Sequence, residues 1–383
     1  MKPFDLATPC MHAAGSRNFG IDCLRGLAIL LVIVHHLALP FRLPLGPSLL
    51  GEWLPARLLE AIGANGYEAV FMFFVISGFL ITVRTIERHG SLKAVDPWRF
   101  YRARVRRILP LLLLALTLLT LLAWLGVPGF APERDQQSIG GLLGSALTFT
   151  FNHYEGRTGW APAAWDVLWS LSIEEVFYAG FPLLCLWLPR PLLIGLLLAW
   201  ALGLGFLRGL VPMSDEVWWQ KAYLPGMAAV AWGVLTALCA VRSALAGGAP
   251  ARGRDCWRLL HRAGAGLARA GVPPPVRANL YLYCIGTALM LPAFYRRPPT
   301  ALRPFRWLAR MGSLSYELYL FHMFVVLAAT ALYRALFGEQ PAWTFVVYLP
   351  VLWCSYALAL VLERATLGLG LHGRAAPMRG AGR

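Results

Sequence analysis

The chain is short of charged residues. Asp, Glu, Lys and Arg make up 14% of its 383 residues, against about 25% in a typical soluble domain. With 58% of the residues apolar, so few charges cannot cover the surface of soluble domains of this length. The scarcity of charge excludes the soluble globular class. Apolar runs near 20 residues recur along the chain, and a helix needs about 20 such residues to cross a bilayer, so the sequence predicts a polytopic membrane protein.

The sequence also lacks a metal-ligand pattern and a cleavable signal. The seven cysteines have no metal-ligand spacing and most lie in or beside apolar runs, which favours small buried side chains over disulfides. Residues 1–20 contain no apolar core of their own, so we expect the first apolar segment to act as an uncleaved anchor. We predict no metal and no resident cofactor.

The positive charge is concentrated in three stretches. Arg84–Arg107, Arg242–Arg277 and Arg296–Arg310 carry net charges of +6, +6 and +5, whereas the whole chain carries +16. Short basic loops beside apolar segments are typical of the cytoplasmic loops of membrane proteins. This interpretation is favoured over nucleic-acid binding, and we predict no nucleic-acid partner.

The apolar segments predict an all-α fold, a polytopic transmembrane helix bundle with about ten membrane segments. Two of the segments, Ile139–Phe151 and Asn279–Tyr295, are weak and are either spanning or re-entrant. The eight strong segments are Gly20–Leu39, Gly66–Val83, Ile108–Leu125, Leu168–Trp187, Leu192–Leu210, Leu224–Val241, Met311–Leu332 and Thr344–Leu362.

Loop charge favours the lower count. If the two weak segments are re-entrant, all three basic stretches lie in the cytoplasm, whereas ten crossings would place Arg242–Arg277 outside. Both counts are even, so both termini are expected in the cytoplasm. Residues 1–365 are predicted to form one membrane domain, followed by a short basic tail at 366–383.

Ionisable residues inside apolar segments are costly and are therefore candidates for function. In the first segment, Arg25 and His36 are eleven residues apart, which places them about 20° apart on one face of a helix, about 16 Å along its axis. His35 points about 100° away. A histidine near a helix end is also often an interfacial or packed residue, and that alternative stays open.

Four further motifs carry polar residues. FYRARVRRILP contains Arg102, Arg104 and Arg107, whose guanidinium groups suit phosphates, although a topogenic role beside anionic lipid is the alternative. WSLSIEEVFY contains the acids Glu174 and Glu175, for which a structural salt bridge is the alternative. FFVISGFLIT contains a Ser-Gly pair that favours close helix packing. GSLSYELYLFH places three polar side chains in one helical stripe facing the interior or a cavity: Ser315, Tyr319 and His322.

Taken in this order, the motifs resemble acyltransferase family 3, the integral membrane O-acyltransferases of bacterial glycans and related molecules. The resemblance implies that Arg25 and His36 match the family's first-helix pair, Arg104 and Arg107 its paired arginines, and Glu174 or Glu175 its acid after WSL. It further implies transfer of an acyl group, usually acetyl, from cytoplasmic acyl-CoA to a sugar hydroxyl.

Under this resemblance His36 is a general base or acyl carrier, Arg25 polarises the thioester carbonyl or fixes the donor, and the acid orients the histidine or the acceptor. Arg102, Arg104 and Arg107 are expected to bind the donor. Ser315, Tyr319, His322 and His35 are expected to line the acceptor side or the cavity. The expected partners are acyl-CoA, a glycan or lipid-linked sugar, and the lipids of the inner membrane.

Two alternatives remain from the sequence. A glycolipid transporter or flippase would use the same intramembrane polar groups to line a pathway without making a bond. A sensory or scaffolding membrane protein would not need them for turnover at all.

Overall fold

The computed structural model describes residues 18–39, 41–203, 216–245, 276–296 and 300–369. These parts are almost entirely helical and contain no strand, as the sequence predicts. Their α-helices, in chain order, are α1 (Phe19–Ala38), α2 (Leu50–Trp53), α3 (Ala56–Ala64), α4 (Gly66–His89), α5 (Pro97–Trp124), α6 (Ile139–Leu147), α7 (Phe151–Thr158), α8 (Leu168–Trp187), α9 (Arg190–Leu202), α10 (Glu216–Lys221), α11 (Tyr223–Leu245), α12 (Val276–Arg296), α13 (Arg306–Ser313), α14 (Ser315–Phe337) and α15 (Tyr348–Gly368).

Six stretches of the described helices are long and apolar enough to cross a membrane, so the chain is a multi-pass membrane protein. Two further helices, α9 and α12, contain shorter apolar stretches, and α8 carries two acids within its 20 residues. The predicted count of about ten membrane segments is therefore not confirmed. The six stretches are Phe19–Ala38, Gly66–His89, Pro97–Trp124, Glu216–Val241, Ser315–Phe337 and Pro341–Gly368.

The two weak segments differ from each other. Ile139–Phe151 does not form one helix, because the chain breaks between α6 and α7 at Phe149, whose φ of 55° lies in the left-handed region. Asn279–Tyr295 instead lies within α12, one helix of 21 residues that packs against α4 and α11. Asn279–Tyr295 therefore does not form a re-entrant hairpin.

The first basic stretch is helical, where the sequence suggests a loop. α4 continues to His89, and α5 begins directly after Asp96, whose carboxylate accepts a hydrogen bond from the backbone N–H of Arg99 at 3.1 Å. Pro97 stands at the first position of α5, where a proline N–H is not needed. The arginines of this stretch therefore lie on two regular helices, the end of α4 and the beginning of α5.

Glycines bring α4 and α11 into backbone contact. A Cβ added to Gly78 would lie 2.1 Å from the carbonyl oxygen of Val230, and one added to Gly233 would lie 2.0 Å from that of Val75. Two helices can approach this closely only where both lack side chains at the crossing. The packing role predicted for Gly78 is confirmed.

Contacts between helix termini define two ends of the bundle. His35 of α1 packs against Gly66 at the start of α4, and the Tyr67 hydroxyl donates to the carbonyl of Gln220 just before α11. This end, marked by Gly66, is called the distal end. At the other end, called the basic end, α4 finishes where Glu87 meets the Tyr295 hydroxyl of α12, and α1 starts where Asn18 donates to the Tyr295 carbonyl at 2.8 Å.

Five of the seven cysteines lie in the described residues and are free thiols, as predicted. Cys10 and Cys256 lie outside them. The last helix reaches Gly368, three residues beyond the domain boundary placed at 365. The rest of the predicted tail, from residue 370, lies outside the described residues, as does most of the basic stretch Arg242–Arg277.

Candidate functional site: a basic cavity and a histidine pair

The first helix holds Arg25 and His36 against the same neighbour, α14. α1 begins with Asn18 as its N-cap, whose side chain accepts from the backbone N–H of Ile21 at 3.0 Å. The Arg25 guanidinium donates to the Ser315 hydroxyl at 2.6 Å. Eleven residues later, the ring of His36 meets that of His322. The predicted shared face of Arg25 and His36 is therefore the face that packs on α14.

The two histidine rings lie with their centroids 4.9 Å apart and inclined by 62°. The Nδ1 atom of His36 is 3.3 Å from the Nε2 atom of His322. His322 is 1% exposed, and His36 is half-buried. His35 turns to α3, where its Nδ1 lies 2.7 Å from the carbonyl oxygen of Gly63. The sequence thus predicts correctly that the two neighbouring histidines face different partners.

The polar stripe on α14 faces the interior, as predicted. Ser315 is 3% exposed and receives the hydrogen bond from Arg25. The Tyr319 hydroxyl is 2.7 Å from the Ser170 hydroxyl of α8, and its ring centroid is 6.1 Å from that of His322. The stripe therefore connects the Arg25 region to the histidine pair.

The acids of α8 face arginines of α5. The Arg104 guanidinium lies 3.8 Å above the ring of Tyr178, and Tyr178 donates to Glu174 at 3.5 Å. Ser77 of α4 also bonds to the Tyr178 hydroxyl, so Ser77 contributes more than packing. Among the described residues, Glu175 Oε1 is buried without a hydrogen-bond partner.

These side chains line a cavity of about 120 Å³, called the inner cavity. It runs between α1, α4, α5, α8 and α14, and the bonded pair Ser170 and Tyr319 forms part of its lining. Its charged and polar lining residues are Arg25, Ser77, Arg84, Arg104, Arg107, Ser170, Glu174, Glu175, Tyr178, Ser315, Tyr316 and Tyr319.

A second and larger space, of about 550 Å³, adjoins the inner cavity at the basic end and shares Arg25, Arg84, Arg104 and Arg107 with it. It is called the basic cavity. Within the described part of the chain, seven arginines and one acid line it. So strong an excess of guanidinium groups suits a ligand with several phosphates. The arginines are Arg25, Arg84, Arg88, Arg99, Arg104, Arg106 and Arg107, and the acid is Glu317.

The structure brings together most of the residues predicted from the motifs. Seven of them line the inner cavity: Arg25, Arg104, Arg107, Glu174, Glu175, Ser315 and Tyr319. His36 and His322 line neither cavity but lie just beyond Tyr319. Arg102, predicted with the other arginines, is exposed on α5 and lines neither cavity.

Sequence reasoning missed Arg84, Arg88 and Arg99. Arg84 follows Ser77 by seven residues, a spacing that puts both on one face of α4 and that could have revealed it. Arg42 was also missed. Its guanidinium donates to the carbonyl of His36 at 2.6 Å, and burial lowers the pKa of Arg42 to about 10, so that it stays charged at neutral pH.

A buried ion cluster at the distal end was missed as well. Lys221 donates to Glu155 at 2.8 Å and also to Asp166, and its ammonium lies 4.2 Å from the centroid of the Trp160 ring. Lys221 and Glu155 side chains are 2% and 0% exposed. Burial raises the pKa of the Glu155 carboxyl, and the charge of Lys221 opposes that rise. The cluster joins α7 and α10 to the segment before α8.

Within the described residues, no group of three or more His, Cys, Asp and Glu side chains could hold a metal ion. The site instead offers arginines for phosphates, acids beside them, and a histidine with a half-buried ring. Such a set can bind an anionic donor and move a proton.

The acyltransferase domain model of acyltransferase family 3 matches residues 18–219 of the chain. An O-acetyltransferase OatA of Staphylococcus aureus is 26% identical over 194 residues, which are 49% of this chain and 29% of the relative. A peptidoglycan O-acetyltransferase OatA of Listeria monocytogenes is 27% identical over 216 residues, 54% of this chain and 29% of the relative.

A putative peptidoglycan O-acetyltransferase YrhL of Bacillus subtilis is 28% identical over 175 residues, 43% of this chain and 23% of the relative. The chain thus spans less than a third of the length of these curated relatives. No solved structure matches the chain.

Proposed function

Because the chain belongs to acyltransferase family 3, we propose that it is an integral membrane O-acyltransferase. It transfers an acyl group, most simply acetyl, from acyl-CoA to a hydroxyl of a sugar in a cell-surface polysaccharide or a lipid-linked glycan. The names of the relatives support an O-acetyl product and a glycan acceptor. The one observation that carries the proposal is the arrangement of the basic cavity, the adjoining inner cavity and the histidine pair, whose His322 ring lies 6.1 Å from the ring of Tyr319 in the wall of the inner cavity.

The donor binds from the basic end. The arginines of the basic cavity hold the phosphates of acyl-CoA through charge-assisted hydrogen bonds, while the thioester end enters the inner cavity. Arg25 lies where the two cavities join, and there it can hold the donor by a charge-assisted hydrogen bond. The basic end faces the cytoplasm of the cell, since that is where acyl-CoA is found and where basic loops collect.

The acceptor approaches from the distal end. His36 takes the proton of the sugar hydroxyl, the hydroxyl oxygen forms a bond to the acyl carbon, and the carbon–sulfur bond breaks. The departing thiolate then takes the proton from His36. Glu174 accepts from Tyr178, whose ring supports Arg104 beside the donor. The acyl group must pass Tyr319, so its contact with Ser170 has to open during turnover.

The protein resides in the inner membrane of a bacterial cell, with both termini in the cytoplasm. α1 begins and α15 ends beside the basic cavity, since Arg25 and Thr366 both line it. This arrangement supports an even number of crossings.

A reconstituted assay tests the function. Protein in lipid vesicles receives acetyl-labelled acyl-CoA and a lipid-linked glycan, and we expect loss of the thioester together with labelled glycan. Movement of the glycan across the vesicle membrane with the thioester intact would instead show a flippase. If neither acyl transfer nor transport of the glycan were detected, the enzyme proposal would be contradicted.

A further inference from the structure

The two histidines of the pair differ in what surrounds them. His322 on α14 is almost completely buried, whereas His36 on α1 is half-buried. Their contact joins Nδ1 of His36 to Nε2 of His322 at 3.3 Å. Each neutral imidazole carries one N–H, so one of the two rings donates in this contact and the other accepts. Which ring donates is determined by the other hydrogen-bond partners of the two rings.

Backbone carbonyls fix the proton on His322. Its Nδ1 lies 2.9 Å from the carbonyl oxygen of Tyr319 and 3.1 Å from that of Leu318. A carbonyl oxygen only accepts, so Nδ1 of His322 carries the hydrogen. In the neutral ring, Nε2 of His322 is then a bare acceptor that points at His36.

The same argument fixes the proton on His36. Its Nδ1 lies 2.8 Å from the carbonyl oxygen of Val32, which again only accepts. The hydrogen on Nδ1 of His36 is therefore shared between this carbonyl and Nε2 of His322. The Nε2 atom of His36 is left without a proton, and it is the nitrogen of that ring able to accept a proton from a reacting group.

We propose that His322 is a positioning residue for His36. It holds His36 in the tautomer with a bare Nε2, and it accepts from Nδ1 while His36 carries a second proton during turnover. This inference rests on the proposed function, in which Nε2 of His36 takes the proton of the acceptor hydroxyl and returns it to the leaving thiolate. The arrangement follows the logic of hydrolase triads, where an acceptor behind the histidine fixes its tautomer, but here that acceptor is a neutral imidazole.

Two substitutions at His322 separate positioning from packing. A glutamine places an amide oxygen near the former Nε2, where it accepts from His36, whereas an asparagine places its amide near the former Nδ1 and keeps only the contacts to the helix carbonyls. We expect His322→Gln to keep kcat within about tenfold of the wild type. We expect His322→Asn to lose about 30-fold or more in kcat, with KM for acyl-CoA unchanged. Equal activity of the two variants, or higher activity of His322→Asn, would overturn the proposal.

A second measurement does not depend on turnover. Nitrogen NMR of protein with ¹⁵N-labelled histidine in lipid distinguishes protonated from bare ring nitrogens. We expect His36 to show a protonated Nδ1 and a bare Nε2 in the wild type and in His322→Gln, and a mixture of tautomers in His322→Asn. A His36 protonated at Nε2 in the wild type would contradict the pairing, even if a variant failed to fold. If the wild-type protein transferred no acyl group, the proposed function would be contradicted. The NMR measurement would still show which tautomer His36 adopts.

Discussion

At the scale of single residues, the arginines of α5 divide into two groups. Arg104 lines both cavities and packs on Tyr178, whereas Arg102 is exposed on the same helix and lines neither. We expect Arg104→Ala to raise KM for acyl-CoA about tenfold or more, because a charge-assisted hydrogen bond to phosphate is lost. Arg102→Ala is the matched control and should change KM less than about twofold. KM is measured from initial rates at varied acyl-CoA concentration. An equal rise in KM for the two variants would show that the donor responds only to the overall positive charge of α5.

The two adjacent histidines provide a second residue-scale comparison. His36→Ala should abolish turnover, because it removes the ring nitrogen that takes the proton of the acceptor hydroxyl. His35→Ala should keep turnover within a few-fold of the wild type and lower the stability by about 1 kcal/mol, because it loses the bond to the Gly63 carbonyl and its packing on Gly66. Initial rates and thermal unfolding in detergent check both. If His35→Ala alone were inactive, the role assigned to His36 would be wrong.

At the scale of helices, the crossing with α11 holds α4, which is one of the helices that line the inner cavity. Gly78→Ala would force its Cβ against the carbonyl of Val230, so we expect a loss of about 1–3 kcal/mol in stability. Gly286 lies in α12 with no atom within 4 Å of an added Cβ. Gly286→Ala should therefore leave stability unchanged or raise it by up to about 1 kcal/mol. Thermal unfolding of the two variants tests this prediction. A Gly78→Ala protein more stable than the wild type would disprove the close crossing.

The ion cluster at the distal end joins helices in a similar way. Lys221→Met leaves Glu155 buried without its cation, and we expect a loss of about 3–5 kcal/mol. Lys93 is the control, since it is exposed and donates only to the Leu186 carbonyl, so Lys93→Met should cost less than about 1 kcal/mol. Adding Glu155→Gln to Lys221→Met should restore part of the stability. A Lys221→Met protein as stable as Lys93→Met would mean that the cluster is not structural.

At the scale of the whole molecule, the sequence predicted the features that depend on one helix. The shared face of Arg25 and His36 and the stripe of Ser315, Tyr319 and His322 follow from helical spacing alone. The bond of Lys221 to Glu155 joins residues 66 positions apart, and local periodicity holds no information about such a pair.

The same reason explains why the motifs could not show where the cavities lie. Helical spacing places Arg84 on the same face of α4 as Ser77, but the cavity beside that face is formed with α1 and α5, which are distant in sequence and adjacent in space. The number of membrane segments was also not predictable from hydropathy alone. Phe149 breaks one weak segment through its backbone conformation, while the other weak segment continues as a helix past Pro292.

The central claim is that an acyl group enters at the basic end and reaches an acceptor at the histidine pair. It is tested most directly in sealed vesicles that carry the protein in one known orientation, with labelled acyl-CoA only on the side of the basic end and the glycan acceptor only on the other side. The account predicts labelled glycan on the far side with the wild-type protein and none with His36→Ala. Labelled glycan formed only when the donor is supplied at the distal end, or equally well by His36→Ala, would contradict it.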